Sequence, residues 1–415
     1  MFNQKLSCPK LPQVIIAMIS VAILGVASPG LAQNEQAKPI TPAKSDQATA
    51  DKSAEANSSQ PGPDDSKLVR SIYDLTKTTK SAKELTAFLA KCDAALATNL
   101  KPANQKYVTS LKGWALNLRG VQRMEVASQL KTIGNSQHAT VLKQAMDDFN
   151  EAITCDSQRY RSWMSRGIAH AETEDYRKAA LDFTNVVKLK TELPAGWFNR
   201  AEALYHLQQF EAAINDYDVA ISLDSNDAQA LTGRGHSRFA LGQFKAALAD
   251  YQTVANLVPE NAMVYINLGD ACQRLGKWKD ALTNFDKSLS LEHTAIGYQR
   301  CAWIKATSPI AEIKNAKEAV QLAKRAIQMV GDSAVNLDTL AAAEAAVGNF
   351  DNAKATQERV IGLVSGEEDA AENDEAKPYV ARLALYVKGE SFTENAEVDE
   401  QVESTDDQGK STEDR

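Results

Sequence analysis

Four consecutive stretches of this 415-residue chain match one another in residue type at a spacing of 34. Gly167, Ala201, Gly235 and Gly269 form one column, of small residues, and Trp163, Trp197, Leu231 and Tyr265 form a bulky one. Tyr176, Phe210, Phe244 and Trp278 make an aromatic column, and Ala179, Ala213, Ala247 and Ala281 an alanine column. Phe183, Tyr217, Tyr251 and Phe285 complete the set. A unit this short cannot bury its own apolar face. Its neighbours must stack on it, which commits the chain to a repeat architecture.

The spacing inside one unit predicts two helices. In 194–227, Trp197, Arg200, Ala201 and Leu204 fall at i, i+3, i+4 and i+7 on one helical face, and Phe210, Ala213, Ile214, Tyr217 and Ala220 do so on a second. The small residues let the helices approach while Phe210 and Tyr217 fill the space beside them. Leu207-Gln208-Gln209 makes the turn between them, where the next two units carry Gly242 and Gly276, suited to a left-handed helix end. Asp224 and Asn226, or Pro259 one unit on, mark the exit and the next start. Composition agrees. Only five of the 12 prolines lie beyond residue 63, and such a Pro-poor, Ala- and Leu-rich body argues against a β-sandwich, a collagen-like chain or a multispanning membrane protein.

This order of aromatic, small, aromatic, Ala and aromatic residues resembles the tetratricopeptide repeat (TPR) family, with 160–193, 194–227, 228–261 and 262–295 as plain units. The resemblance implies an all-α, right-handed α-solenoid of helix-turn-helix hairpins, with the array over 160–362. A further unit at 334–362 carries Leu340, Ala341, Gly348, Phe350, Ala353 and Val360. The one before it starts near 296 and holds four extra residues around Thr307 to Ile313. Residues 67–159 read as degenerate TPR-like helices. In them Tyr107, Leu111 and Trp114 stand where a first helix belongs and Ala145, Phe149 and Ala152 where a second does. Some 22 residues are then inserted around Arg119 to His138, as longer helices or as a loop. Residues 376–388 read as a capping helix, and Arg382 to Phe392 resembles the closing segment of other bacterial TPR proteins.

The flanks carry the charge. The formal net charge is −8, but residues 389–415 alone hold ten acids against Lys410 and Arg415, and the body from 67 to 388 is close to neutral. No basic stripe offers itself to phosphates, so nucleic acid is not an expected partner. Residues 1–32 read as a signal peptide: Lys5 and Lys10, then an uncharged apolar run from Val14 to Ala27, then Gly30-Leu31-Ala32 before a cut. The expectation is export to the periplasm or beyond, with an uncleaved membrane anchor as the alternative. Residues 33–66 read as a disordered linker, 363–375 as an acidic loop and 389–415 as a disordered acidic tail.

No phosphate-binding loop, dinucleotide fingerprint, nucleophile elbow or zinc-protease motif occurs, so no enzyme activity and no cofactor are expected. Cys92, Cys155, Cys272 and Cys301 form no CxxC. Cys272 and Cys301 fall on adjacent first helices, and spacing leaves open whether they bridge. His138, His170, His206, His236 and His293 form no ligand motif; His206 and His236 are candidates for the inner groove of neighbouring repeats, but a metal site needs further ligands and no metal is expected.

In the TPR family the first helices line a concave face that holds peptides. The resemblance therefore implies a partner groove of Met164, Ile168, Phe198, Asn199, Glu202, Tyr205, Thr232, His236, Phe239, Ile266, Asn267, Asp270 and Arg274. The alternative for the apolar members is packing between adjacent first helices. The lysine and asparagine clamp of chaperone-tail binders is replaced here by Met164, Ile168, Phe198 and Glu202. The reading is an exported, non-catalytic scaffold for a protein or peptide. The alternatives are an accessory subunit of an envelope enzyme or assembly machine, and a small-ligand binder.

Overall fold

The computed structural model describes residues 63–366, 370 and 372–395. The segment read as a signal peptide, most of the segment read as linker and the end of the acidic tail lie outside the described residues. Those described form seventeen helices and no strand. They divide into two compact units between Leu223 and Asp224.

The first unit holds α1 (Pro63–Thr76), α2 (Ala82–Leu96), α3 (Pro102–Thr132), α4 (His138–Cys155), α5 (Tyr160–Glu172), α6 (Tyr176–Leu189), α7 (Pro194–His206) and α8 (Phe210–Leu223). The second holds α9 (Ala228–Ala240), α10 (Phe244–Leu257), α11 (Ala262–Arg274), α12 (Trp278–Leu291), α13 (Ala295–Thr307), α14 (Ala316–Val330), α15 (Ala334–Ala346), α16 (Phe350–Ser365) and α17 (Lys377–Val387). In both, consecutive helices pack as hairpins and hairpins stack on their neighbours, an α-solenoid arrangement.

The columns explain the packing. A Cβ placed on Gly167 would stand 2.7 Å from the Phe183 ring, and one on Gly235 would stand 2.5 Å from Tyr251. The missing side chain is thus the slot into which the second helix lays its aromatic ring. The turn column is equally uniform: Glu174, Gln208, Gly242 and Gly276 all have positive φ, at 60°, 59°, 74° and 70°. Helix starts follow ordinary capping chemistry. Asp227 accepts from the N–H groups of Gln229 and Ala230, and Ser81 with Glu84 forms a capping box.

Several expectations are corrected. Helix α1 begins at Pro63, inside the segment read as linker, with Asp65 in its first turn complementing the helix dipole. Of the two readings of the N-terminal insertion, longer helices or a loop, the structure gives the helix: α3 runs for 31 residues. Its repeat contact comes from Gly120, which meets Phe149 as Gly167 meets Phe183. Farther along, the extra residues do fall in the 308–315 loop between α13 and α14, but α13 starts at Ala295, one residue earlier than the sequence spacing gave. Residues 391–395, read as part of a disordered tail, are docked on the second unit through Phe392 and Glu394.

Candidate functional site

The structural ion pairs come first, because they take charged residues out of consideration as ligand contacts. Arg166, Arg200 and Arg234 each grip an aspartate sixteen residues on, Asp182, Asp216 and Asp250, through paired guanidinium contacts of 2.6–3.2 Å. All three aspartates are buried. Arg119 does the same to Asp148, across the longer α3–α4 connection. Spare guanidinium nitrogens reach back to the preceding hairpin, Arg166 to Asn150 at 2.8 Å and Arg200 to Thr184 at 3.5 Å. The Trp163 and Trp197 indoles lie under these guanidiniums and donate to the Ser157 and Thr191 carbonyls. These groups hold repeats together. The sequence carried the signal in Arg and Asp columns at the same 34-residue spacing, which the aromatic columns overshadowed.

In the first unit, four of the expected groove residues lie within the packing. Met164, Ile168, Phe198 and Asn199 are buried, and the Asn199 amide donates to the Ala195 carbonyl at 2.7 Å and toward Met164 Sδ at 3.5 Å. Bulk at these positions fills the space between adjacent first helices, so they present little to a ligand. Glu202 is half-buried and accepts from the Tyr217 hydroxyl, whose pKa burial drives far up. What the unit does present is aromatic. Tyr205 sits edge-on to both His206 and Phe210, and the exposed His206 ring stacks on Tyr176 at 4.3 Å.

In the second unit, Ile266 is buried, and Thr232 turns its hydroxyl onto the Ala228 carbonyl. His236 and Asn267 are hydrogen-bonded to each other, and desolvation pulls the imidazole down to about 4 despite that bond. Asp270 is paired with Arg300 at 2.7 Å. Arg274 lies over the Phe239 ring at 5.8 Å. No group of three or more His, Cys, Asp or Glu side chains that could hold a metal ion occurs among the described residues. Cys272 and Cys301 are free thiols, not a disulfide, and burial raises the Cys272 pKa to about 11.

The same face of the second unit carries residues the sequence reading did not select. Starting α13 at Ala295 puts Trp303 level with Asp270 and His236 of earlier hairpins, a match that the one-residue slip concealed. Asp338 of α15 is level with Ile266 and Thr232 under the spacing as read, and was not selected. Gln273, in the column of Tyr205 and Phe239, was also passed over. These positions receive the chain's own C-terminal segment. Arg382 of α17 makes two 2.8 Å contacts to Asp338 and lies over the rings of Trp303, Tyr379 and Phe392. Beyond α17, the Glu394 carboxylate accepts from Gln273 Nε2 at 2.9 Å and from the indole of Trp303, with Thr307 Oγ1 at 3.4 Å.

Comparison with known proteins agrees with this geometry. Residues 194–227 match the tetratricopeptide repeat family, and residues 235–276 match a second family described as TPR repeat. Residues 194–227 and 235–276 are thus tetratricopeptide repeats. Similar solved structures include MamA from Desulfovibrio magneticus, 20% identical over 42% of this chain and 94% of that one, with a TM-score of 0.37. A tetratricopeptide repeat protein from Parabacteroides merdae is 17% identical over 68% of this chain and 99% of its own, at 0.39. YrrB, described as a TPR protein with an unusual peptide-binding site, is 20% identical over 42% and 88%, at 0.36. No curated protein matches the chain.

Proposed function

We propose that this protein is an exported, non-catalytic scaffold that binds a protein or peptide partner through the first-helix faces of its hairpins. The observation that carries the reading is the aromatic cluster of Tyr176, Tyr205, His206 and Phe210 on the first unit. The other aromatic columns are spent on packing, whereas these rings stack on one another and leave the His206 face in solvent. Such rings supply large contact area at little entropic cost, the usual make-up of an interface anchor. Phe239 under Arg274 repeats the theme in the second unit. Export rests on the sequence of residues 1–32, whose cut after Ala32 would leave Gln33 as the mature N-terminus.

The test is site-specific cross-linking in the native host, with a photoreactive residue placed at His206. A discrete cross-linked partner is expected, and Tyr205→Ala should abolish it without changing the helical circular dichroism. Cross-links that persist unchanged in Tyr205→Ala would refute the use of this face. N-terminal sequencing of the recovered protein should begin at Gln33; a start at Met1 would refute cleavage.

A further inference from the structure

From the segment after α17 we infer that the first-helix face of the second unit, at Gln273, Trp303 and Thr307, is a site for an extended peptide bearing an aromatic residue two positions before a glutamate. The chain's own Phe392-Thr393-Glu394 occupies that site as a displaceable internal ligand. The inference rests on the scaffold reading above and specifies the chemistry of what one face accepts.

The docked segment behaves as a bound peptide. Phe392 and Glu394 are half-buried while Ser391, Thr393 and Asn395 are exposed, the alternation of an extended strand lying on a surface. The Glu394 N–H donates to the Thr307 carbonyl at 2.9 Å, and that carbonyl is one of the acceptors the end of α13 leaves unpaired. The Phe392 ring lies 5.9 Å from the Trp303 ring. Main chain, aromatic ring and carboxylate are therefore all met by the wall, with Trp303 facing both the ring and the carboxylate.

The fit is incomplete, and that makes the ligand exchangeable. The groups donating to the Glu394 carboxylate, Gln273 Nε2 and the Trp303 indole, are neutral, and the Thr307 hydroxyl 3.4 Å away already donates to the Trp303 carbonyl. The carboxylate also lies beside Thr307, the last residue of α13, where the helix dipole opposes negative charge. Gln273 is nine-tenths buried, yet its Oε1 has no hydrogen-bond partner. A ligand offering one more N–H there would satisfy an acceptor that the internal segment leaves empty. The internal copy persists through its tether: six residues lie between Val387 and Glu394, a linker short enough to present it at millimolar effective concentration.

The test compares the full-length chain with full-length Phe392→Ala/Glu394→Gln, in which the internal ligand is disarmed. The probe is a fluorescein-labelled peptide of residues 388–396, followed by anisotropy. The disarmed chain should bind it at least about tenfold more tightly than the parent, because the tethered competitor is gone. Adding Trp303→Leu should remove that binding, and a peptide carrying the same two changes should bind neither chain. Equal affinity for both chains, binding of the altered peptide, or no binding to a disarmed chain of unchanged helicity would each overturn the proposal. If the disarmed chain loses helicity, the parent decides: excess unlabelled peptide should expose residues 391–395 to hydrogen exchange, and unchanged protection overturns the proposal. A failure here with the His206 cross-link intact would leave the scaffold reading standing.

Discussion

At the scale of single residues, this protein depends on arginines that face the wrong way for recognition. Arg200 shares the helical face of Trp197 and Ala201, and the structure spends its guanidinium on Asp216, which is only 5% exposed. Removing the arginine alone strands a buried carboxylate. Arg200→Leu should therefore cost about 3–5 kcal/mol, read as a lowered urea midpoint. The chain itself suggests the remedy. One repeat along from Arg234 and Asp250 the same positions hold Leu268 and Asn284, an uncharged pair. Arg200→Leu with Asp216→Asn copies that solution and should recover most of the loss; equal destabilisation in single and double variants would show that the pair does not act as a unit. The arginine's face was legible from its spacing. Its partner was not, since an aspartate on an amphipathic second helix reads as solvated until the repeated column is noticed.

Among the elements, the hairpin turn shows how one geometry is met by different residues. Gly242, Gly276 and Gly348 take positive φ without a Cβ to clash, whereas Glu174 and Gln208 adopt nearly the same angle at a steric cost. Gln208→Gly should then stabilise the first unit by about 0.5–1 kcal/mol, with Gly242→Ala destabilising the second by a similar amount; thermal unfolding of each variant checks the pair. A fall in stability for Gln208→Gly would mean that the side chain earns more than the strain it bears. The turns and the four regular hairpins could be read from sequence because each aromatic ring needs a small residue opposite it at fixed separation. The long α3 could not be placed the same way. Its Gly120–Phe149 contact spans 29 residues where Gly167–Phe183 spans 16, so the period breaks although the contact survives. The early start of α13 is the same kind of failure. A single residue lost between α12 and α13 leaves every apolar column plausible, yet it moves Trp303 off the groove position assigned from spacing.

At the level of the whole molecule, a stack of hairpins has no closed core, and each end must be covered by something with one polar face. In the second unit α17 does this. Tyr386 is buried against Ala341, Ala345 and Ala353 of the last hairpin, and Arg382 reaches across to the buried Asp338. Gln357 of α16 completes the lock, donating to Asp338 and to the Tyr379 carbonyl. Burial pushes the Asp338 pKa upward even with Arg382 beside it, so the arginine is what makes a charge tolerable there. Because repeat stability is carried by nearest-neighbour contacts, the damage from Arg382→Ala should remain local. Hydrogen-exchange protection of α15, α16 and α17 should fall at least about tenfold, while α5 to α8 of the first unit keep theirs. Arg382→Lys should rescue poorly, since an ammonium offers neither the paired contacts to Asp338 nor a flat face for Trp303, Tyr379 and Phe392. Full rescue by lysine would reduce the lock to simple charge compensation. Uniform loss of protection through both units would mean that the chain unfolds as one body, and that the C-terminal helix stabilises far more than the hairpins it covers.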